Sequence, residues 1–180
     1  IAGSAHPAGA ASMLPGFGHE HEQLMARLPY IAPLSSMVHD SSSGAIRANG
    51  QMRVSIDYVL NQADRAQLSL GLRESSKILF AAGAIEVVIP YVKPMHIRSL
   101  DELAKVELPV DDLDIDIVSV HPMSSVWMGN TEQDSCIDSS GKYHHLDNLY
   151  VADASVYPTS LGVPPQISTY SAGFYVADQI

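Results

Sequence analysis

The chain has 180 residues, 46% of them hydrophobic, enough to bury about 70% of the surface its unfolded form exposes. Twenty acidic against ten basic residues give a formal net charge of -10, which argues against nucleic acid or an anionic membrane surface as a partner. The longest apolar stretch, residues 78–89, carries Gly83 and Glu86 and at about 12 residues falls short of the roughly 20 that a bilayer span needs, while the single Cys136 excludes an internal disulfide and favours a reducing, cytoplasmic setting.

Residues 1–22 are rich in Gly, Ala, Pro and His without a sustained period, and predict a loop leading to a short helix over 20–28. Ile1 rather than Met at the start points to a part of a longer polypeptide. A turn is expected over 39–51, where Gly44, Asn49 and Gly50 supply positive-φ positions. Its flanks, "APLSSMVH" and "MRVSIDY", predict two antiparallel strands. Residues 63–84 predict the clearest helix. Asp64 would cap it with Gln67 three residues on, Leu68, Leu72, Ser75, Leu79 and Ala82 share one face, and Gly83 ends it. "IEVVIPYV" predicts a strand terminated by Pro90, and "SLDELAKV" a short helix capped by Ser99 with Glu102 at its third position. The acidic alternation over 110–122, "VDDLDIDIVSVHP", reads as a connection into a strand, its carboxylates facing solvent. Residues 148–153, "NLYVAD", predict a buried strand. A loop and a helix over 165–180 follow it, with Ile167, Ser171, Phe174 and Asp178 along one side.

Several chemistries fail on spacing. His19 and His21 in "HEHE" point apart on a helix and no H-E-x-x-H follows, so no metal site is expected. No G-x-S-x-G is present for a serine hydrolase. "GFGHEH" has His21 where a dinucleotide fingerprint needs its third glycine, so the chain holds no adenine dinucleotide by itself. His121, between an apolar strand and Pro122, remains as a titratable group at a strand end.

"HPMSSVWMG" (121–129) followed by "CIDSSGKYHHLDNLYVADASVYPTSLGVPPQ" (136–166) resembles the C-terminal signature of the glucose-methanol-choline (GMC) oxidoreductases, which oxidise alcohols with FAD. The family's pattern runs H-P-x-G-T-x-x-M-G, then N-L-x-V-x-D-A-S, then G-V-N-P and a last helix. The resemblance covers residues 120–180 closely. "DSSSGAI" and "ESSKILFAAGAIEVV" resemble more loosely the substrate-binding part of sorbose-dehydrogenase-like or long-chain-alcohol-oxidase-like members.

The resemblance implies that His121 takes or orients the substrate hydroxyl proton. It places Asp153 and Ala154 against the cofactor's phosphate–ribityl chain, and Pro165, Gln166 and Ile167 at a helix start aimed at the flavin's pyrimidine end. Pro164 stands where the family usually has a second catalytic residue, Asn or His, and offers neither side-chain donor nor N–H. Ser124 and Ser125 replace the common Gly-Thr, and Trp127 a frequent Arg. The expected fold is α+β, a mixed or antiparallel sheet flanked by helices, with a C-terminal strand–helix piece that would complete a flavin-binding α/β domain. Residues 1–119 would form the substrate-binding region and 120–180 the histidine segment and strand–helix piece. The N-terminal FAD domain is absent from this chain, which alone is not expected to bind FAD tightly or turn over substrate. The implied function is oxidation of an alcohol or sugar CH–OH group by hydride transfer to flavin. The alternative is a catalytically impaired GMC-like protein that keeps a binding or structural role. The identity of the alcohol and of the electron acceptor stays open.

Overall fold

A computed structural model describes residues 7–50, 53–111, 114–115 and 117–180. Its elements in chain order are α1 (Pro7–Met13), α2 (His19–Ala26), a 3-10 turn (Leu28–Tyr30), β1 (Gly44–Ala48), β2 (Val54–Tyr58), α3 (Gln62–Ala81), β3 (Val87–Ile89), β4 (Met95–Ile97), α4 (Leu100–Lys105), a 3-10 turn (Ala154–Val156) and α5 (Gln166–Ala177). Among the described residues the sheets are two antiparallel hairpins, β1–β2 and β3–β4. This is a mixed α/β architecture of small antiparallel sheets and helices. The chain divides into two compact units, one of residues 1–38 and 60–118, the other of residues 39–59 and 119–180.

The first unit holds the larger core. Val87, Ile89 and Ile97 from the β3–β4 hairpin, Leu103 from α4, and Tyr91, Leu108, Val110 and Ile115 from the connections form one buried cluster, with Leu68, Leu72, Leu79 and Phe80 of α3 packed against it. The expected α3 face is therefore largely real, but Ala82 is exposed and Ser76 is buried in its stead, its hydroxyl donating back to Leu72 O. The helix starts earlier than Asp64. Asn61 is the N-cap, its Oδ1 accepting from Asp64 N at 2.9 Å, because Asn ahead of the apolar run can cap while Asp64 occupies the third helical position. At the other end Ala84 N donates to Leu79 O and Gly83 N to Phe80 O, with Gly83 at φ 97. That is a Schellman motif, with Gly83 as its left-handed residue.

Two arginines on α3 tie down the segment that follows α4. Arg73 donates to Leu103 O and Val106 O at 2.5 and 2.6 Å, and Arg65 to Leu60 O and Val110 O, both at 3.0 Å. Arg73 thereby satisfies carbonyls at the end of α4 that have no intrahelical partner, and Arg65 joins Leu60, ahead of α3, to the segment after α4. α4 is capped as expected, Ser99 Oγ accepting from Glu102 N while the Glu102 carboxylate accepts from Arg98 N. Glu86, whose side chain is 11% exposed, meets Arg27 at 2.8 Å, Arg98 at 2.9 Å and His96 at 3.2 Å. Its pKa is held below the ordinary glutamate value, first by the Arg27 hydrogen bond, against the opposing effect of burial.

Other expectations shift. Residues 7–13 are helical rather than loop, and the next helix spans His19–Ala26; the first six residues lie outside the described ones. "APLSSMVH" forms no named strand. The first hairpin strand instead begins at Gly44, inside the expected turn, and Gly44 sits opposite Tyr58, where a Cβ would meet Asp57 O at 2.5 Å. Close backbone approach, not positive φ, is what that glycine serves. The turn itself is shorter, with Gly50 at φ 51 and Asn49 N bonded to Arg53 O at 2.8 Å. Gln51 and Met52 lie outside the described residues. The strand over 87–89 stops before Pro90, as expected. Its partner β4 carries only three paired residues between Pro94 and Ser99, too few for a periodicity to be read. Asp111 and Asp114 are exposed, Asp112, Leu113 and Asp116 lie outside the described residues, and no strand forms over 117–120.

Candidate active site

The candidate residues from the sequence all fall in the second unit. His121 is half-buried, and residues 117–120 before it form no strand, so it does not end one as expected. The segment after it is held by loop pairing instead. Val126 N donates to Ser155 O at 3.1 Å, Met128 N to Val156 O at 3.2 Å and Gly129 N to Ile137 O at 2.9 Å. Ile137, fully buried, anchors this loop through bridges to Met128 and Tyr143. Ser124 has φ 66, the left-handed region that disfavours a side chain. Trp127 leaves about half its surface open and donates Nε1–H to Asp134 O at 2.7 Å, which fixes the indole over the 131–134 turn.

"NLYVAD" is not a strand. Its one bridge pairs Tyr150 with Lys142, supported by Tyr143 N to Leu149 O at 2.8 Å and Val151 N to Gly141 O at 2.9 Å. A strand needs a ladder, and this extended stretch finds only the arm of the preceding turn. That turn is organised by Asp138, whose Oδ1 accepts from Ser140 Oγ at 2.6 Å, Ser140 N at 2.8 Å and Lys142 N at 3.1 Å. The Ser140 hydroxyl bond is the main reason its pKa is lowered, burial opposing.

Asp153 is exposed and caps the 3-10 turn after it, Oδ1 accepting from Ser155 N at 2.8 Å and from Ser155 Oγ at 2.5 Å. Ala154 opens the turn. Beyond it, Tyr157 donates its hydroxyl to Ser168 O at 2.6 Å, which ties the turn to the first turn of α5. Pro164 is exposed, Pro165 is buried. Pro165 is the N-cap residue of α5 rather than its first helical residue, because its carbonyl accepts the Thr169 N–H at 2.8 Å; it brings no side-chain capping bond. Gln166 and Ile167 open the helix and are exposed, the Gln166 amide donating to the Tyr170 hydroxyl at 2.8 Å.

The candidate residues are thus linked in part. Backbone hydrogen bonds join the His121 segment to the Asp153–Ala154 turn, and Tyr157 joins that turn to the helix start that holds Pro165, Gln166 and Ile167. One residue that the sequence did not single out packs on the loop ahead of Pro164. His39 hydrogen-bonds Thr159 Oγ1 at 3.2 Å, and its Cβ lies 2.6 Å from where a Cβ on Gly162 would stand, Gly162 having φ 64. Nothing in local spacing relates residue 39 to residue 162. A second such pair is Ser135 with His144, 2.9 Å apart, the serine hydroxyl also within 2.9 Å of Thr131 O. As for metal, His19 sits on exposed α2 against Glu22 and Gln23, and no group of three His, Cys, Asp or Glu side chains fit for a metal occurs among the described residues.

A family model described as GMC oxidoreductase matches residues 40–173. A GMC-type oxidoreductase of Mycobacterium tuberculosis, itself described as uncharacterized, is 34% identical over 182 residues, covering 99% of this chain and 28% of the relative. Two long-chain-alcohol oxidases of Arabidopsis thaliana are 30% and 31% identical, each across 91% of this chain and 23% of their own length. The chain therefore spans about a quarter of the length of these relatives. On the motif from His121 to Gln166 and on these matches, the chain belongs to the GMC oxidoreductase family.

Proposed function

We propose that this chain is the substrate-binding and catalytic C-terminal part of an FAD-dependent oxidoreductase that acts on the CH–OH group of an alcohol, with His121 as the proton acceptor. The observation that carries the reading is the linkage of the histidine segment, the Asp153 turn and the start of α5 within one unit, through Val126, Met128 and Tyr157. A half-buried imidazole suits that role. Its ring nitrogen can accept both a hydrogen bond and the proton of a substrate hydroxyl.

The residues present fit one end of FAD. α5 begins with no side-chain cap and exposed first residues, so its first amides and the positive end of its dipole are open to an electron-rich group. Gln166 and Ile167 would present those amides to the flavin's pyrimidine edge, with Pro165 fixing the entry angle. Asp153 has one carboxylate oxygen committed to Ser155, so its role would be to order the Ala154 turn and to offer its other oxygen to a ribityl hydroxyl. FAD, when bound, supplies the hydride acceptor. The glycine-rich cradle for its diphosphate would come from another part of a longer polypeptide. For this reason the 180 residues alone should neither hold FAD tightly nor turn over substrate.

The similarity to long-chain-alcohol oxidases of Arabidopsis thaliana favours an aliphatic alcohol over a sugar as substrate. Pro164 supports a second reading, in which the chain has lost catalysis, because it can give no hydrogen bond to a substrate oxygen. A comparison of Pro164→Asn with wild type separates the two. Anaerobic flavin bleaching would be measured in the full-length polypeptide with primary aliphatic alcohols and with sugars. Bleaching by aliphatic alcohols in wild type is the expected result. Bleaching seen only after Pro164→Asn would establish the impaired form, and none in either protein would overturn the alcohol-oxidising reading.

A further inference from the structure

The loop over residues 158–164 delivers Pro164 and the buried Pro165 to the start of α5, yet none of its residues makes a backbone–backbone hydrogen bond among the described residues. Ser160 adds a cost, since its Oγ is buried with no hydrogen-bond partner among them. A segment with so few bonds of its own keeps one conformation only when its surroundings hold it. Residue 39 does the holding. His39 Nε2 hydrogen-bonds the Thr159 hydroxyl at 3.2 Å. Its Cβ, Cα and N lie 2.6, 3.1 and 3.2 Å from where a Cβ on Gly162 would stand, so only glycine lets the loop close on it. The next residue, Asp40, accepts the Tyr58 hydroxyl at 2.5 Å, which fixes this segment to the end of β2.

We propose that His39 is a positioning residue: its ring holds the 159–162 loop in place, and through that loop it sets where Pro164 and the first amides of α5 stand in the alcohol-oxidising site. This role rests on the reading of that site given above. His39 and Thr159 are both exposed, so their hydrogen bond competes with water and adds little to global stability. Its use is local. It selects one place for a loop that its own bonds leave undetermined, and a misplacement of about 1 Å near reacting groups can cost on the order of 10²-fold in rate. Tyr58, Asp40, His39 and Thr159 thus form a continuous series of contacts from β2 to the loop.

His39→Ala tests it, because alanine keeps the Cβ against Gly162 and removes the hydrogen-bonding ring. The anaerobic rate constant of flavin reduction at saturating primary aliphatic alcohol is measured in the full-length polypeptide with FAD bound. The expected result is a fall of about tenfold in His39→Ala and in Thr159→Val, with no further fall when the two are combined. His39→Gln, whose amide can reach the Thr159 hydroxyl, should recover to within about threefold of wild type. Equal rates in wild type and His39→Ala, or losses that multiply in the double variant, would overturn the proposal. A second readout needs no turnover. Ser160→Cys, in a background with Cys136→Ser and any further cysteines replaced, puts a thiol at a buried atom of the loop, and maleimide should label it about tenfold faster when His39→Ala is added. If wild type reduces no flavin with any alcohol, the reading of the site fails, and labelling alone decides whether His39 holds the loop: an unchanged labelling rate in His39→Ala overturns that as well.

Discussion

Ser124 and Gly162 show how single positions shape the candidate site. Ser124 holds φ 66 three residues after His121, a conformation that costs a non-glycine residue about 1–2 kcal/mol. Glycine there should match or exceed wild-type stability, and Ser124→Val, with its β-branch, should fall about 2 kcal/mol below Ser124→Gly in denaturant unfolding. Gly162 combines φ 64 with a close approach to His39. Gly162→Ala should cost about 2–3 kcal/mol, and the loss should show as a lower midpoint in a thermal melt. The signature residues of this region are legible in the sequence, since the H-P-M-S-S-V-W-M-G and N-L-Y-V-A-D-A-S runs are local. The packing of His39 on Gly162 is not, because it joins residues far apart in the chain and leaves no trace in spacing.

Elements follow capping and pairing more than composition. α3 is legible from its apolar period and from Gly83, yet its start is not, because Asn61 and Asp64 are both good caps and only the geometry decides between them. Asn61→Ala should therefore cost about 1 kcal/mol of stability, read by denaturant unfolding, and Asp64→Asn should cost less through the cap. The hairpin strand β2 is legible from "VSIDY", whereas β1 is hidden in a stretch of Ser and Gly whose composition argues for a turn. "NLYVAD" has the composition of a buried strand, but composition does not supply a neighbour. In this chain its partner is the 141–143 arm alone, and one bridge forms.

At the scale of the molecule the two units differ in how much they bury. The first contains the cluster around Ile97 and Leu103, whereas the described residues of the second contribute Ile137, Val156 and Val176 as buried apolar side chains. Exposed Ile167, Tyr170 and Phe174 along α5 belong to that less covered unit. Two groups of the first unit, Glu86 and Tyr91, contribute to the pH dependence beside the lowered Asp138 of the second. Glu86 is held below the ordinary glutamate value, so its ion pairs stabilise fully above that ordinary value, and the contribution is lost as pH falls through the depressed one. Tyr91 is pushed above the ordinary tyrosine value, first by burial and then by the Asp114 charge, and donates its hydroxyl to Pro109 O at 2.8 Å. Its contribution is present below the ordinary value and lost as pH rises through the elevated one. Thermal melts across pH should decline on both arms. Glu86→Gln should flatten the acid arm and Tyr91→Phe the alkaline one; an unchanged acid arm in Glu86→Gln would remove the ion-pair explanation.

The proposed role of His121 as acceptor of the substrate proton is tested most directly by the anaerobic rate of flavin reduction by a primary aliphatic alcohol in the full-length polypeptide, wild type against His121→Ala. The expected result is a fall of about 10²–10⁴-fold in the reduction rate constant, with flavin content and thermal midpoint unchanged. Equal rates in the two proteins would contradict that role and remove His121 from the chemistry.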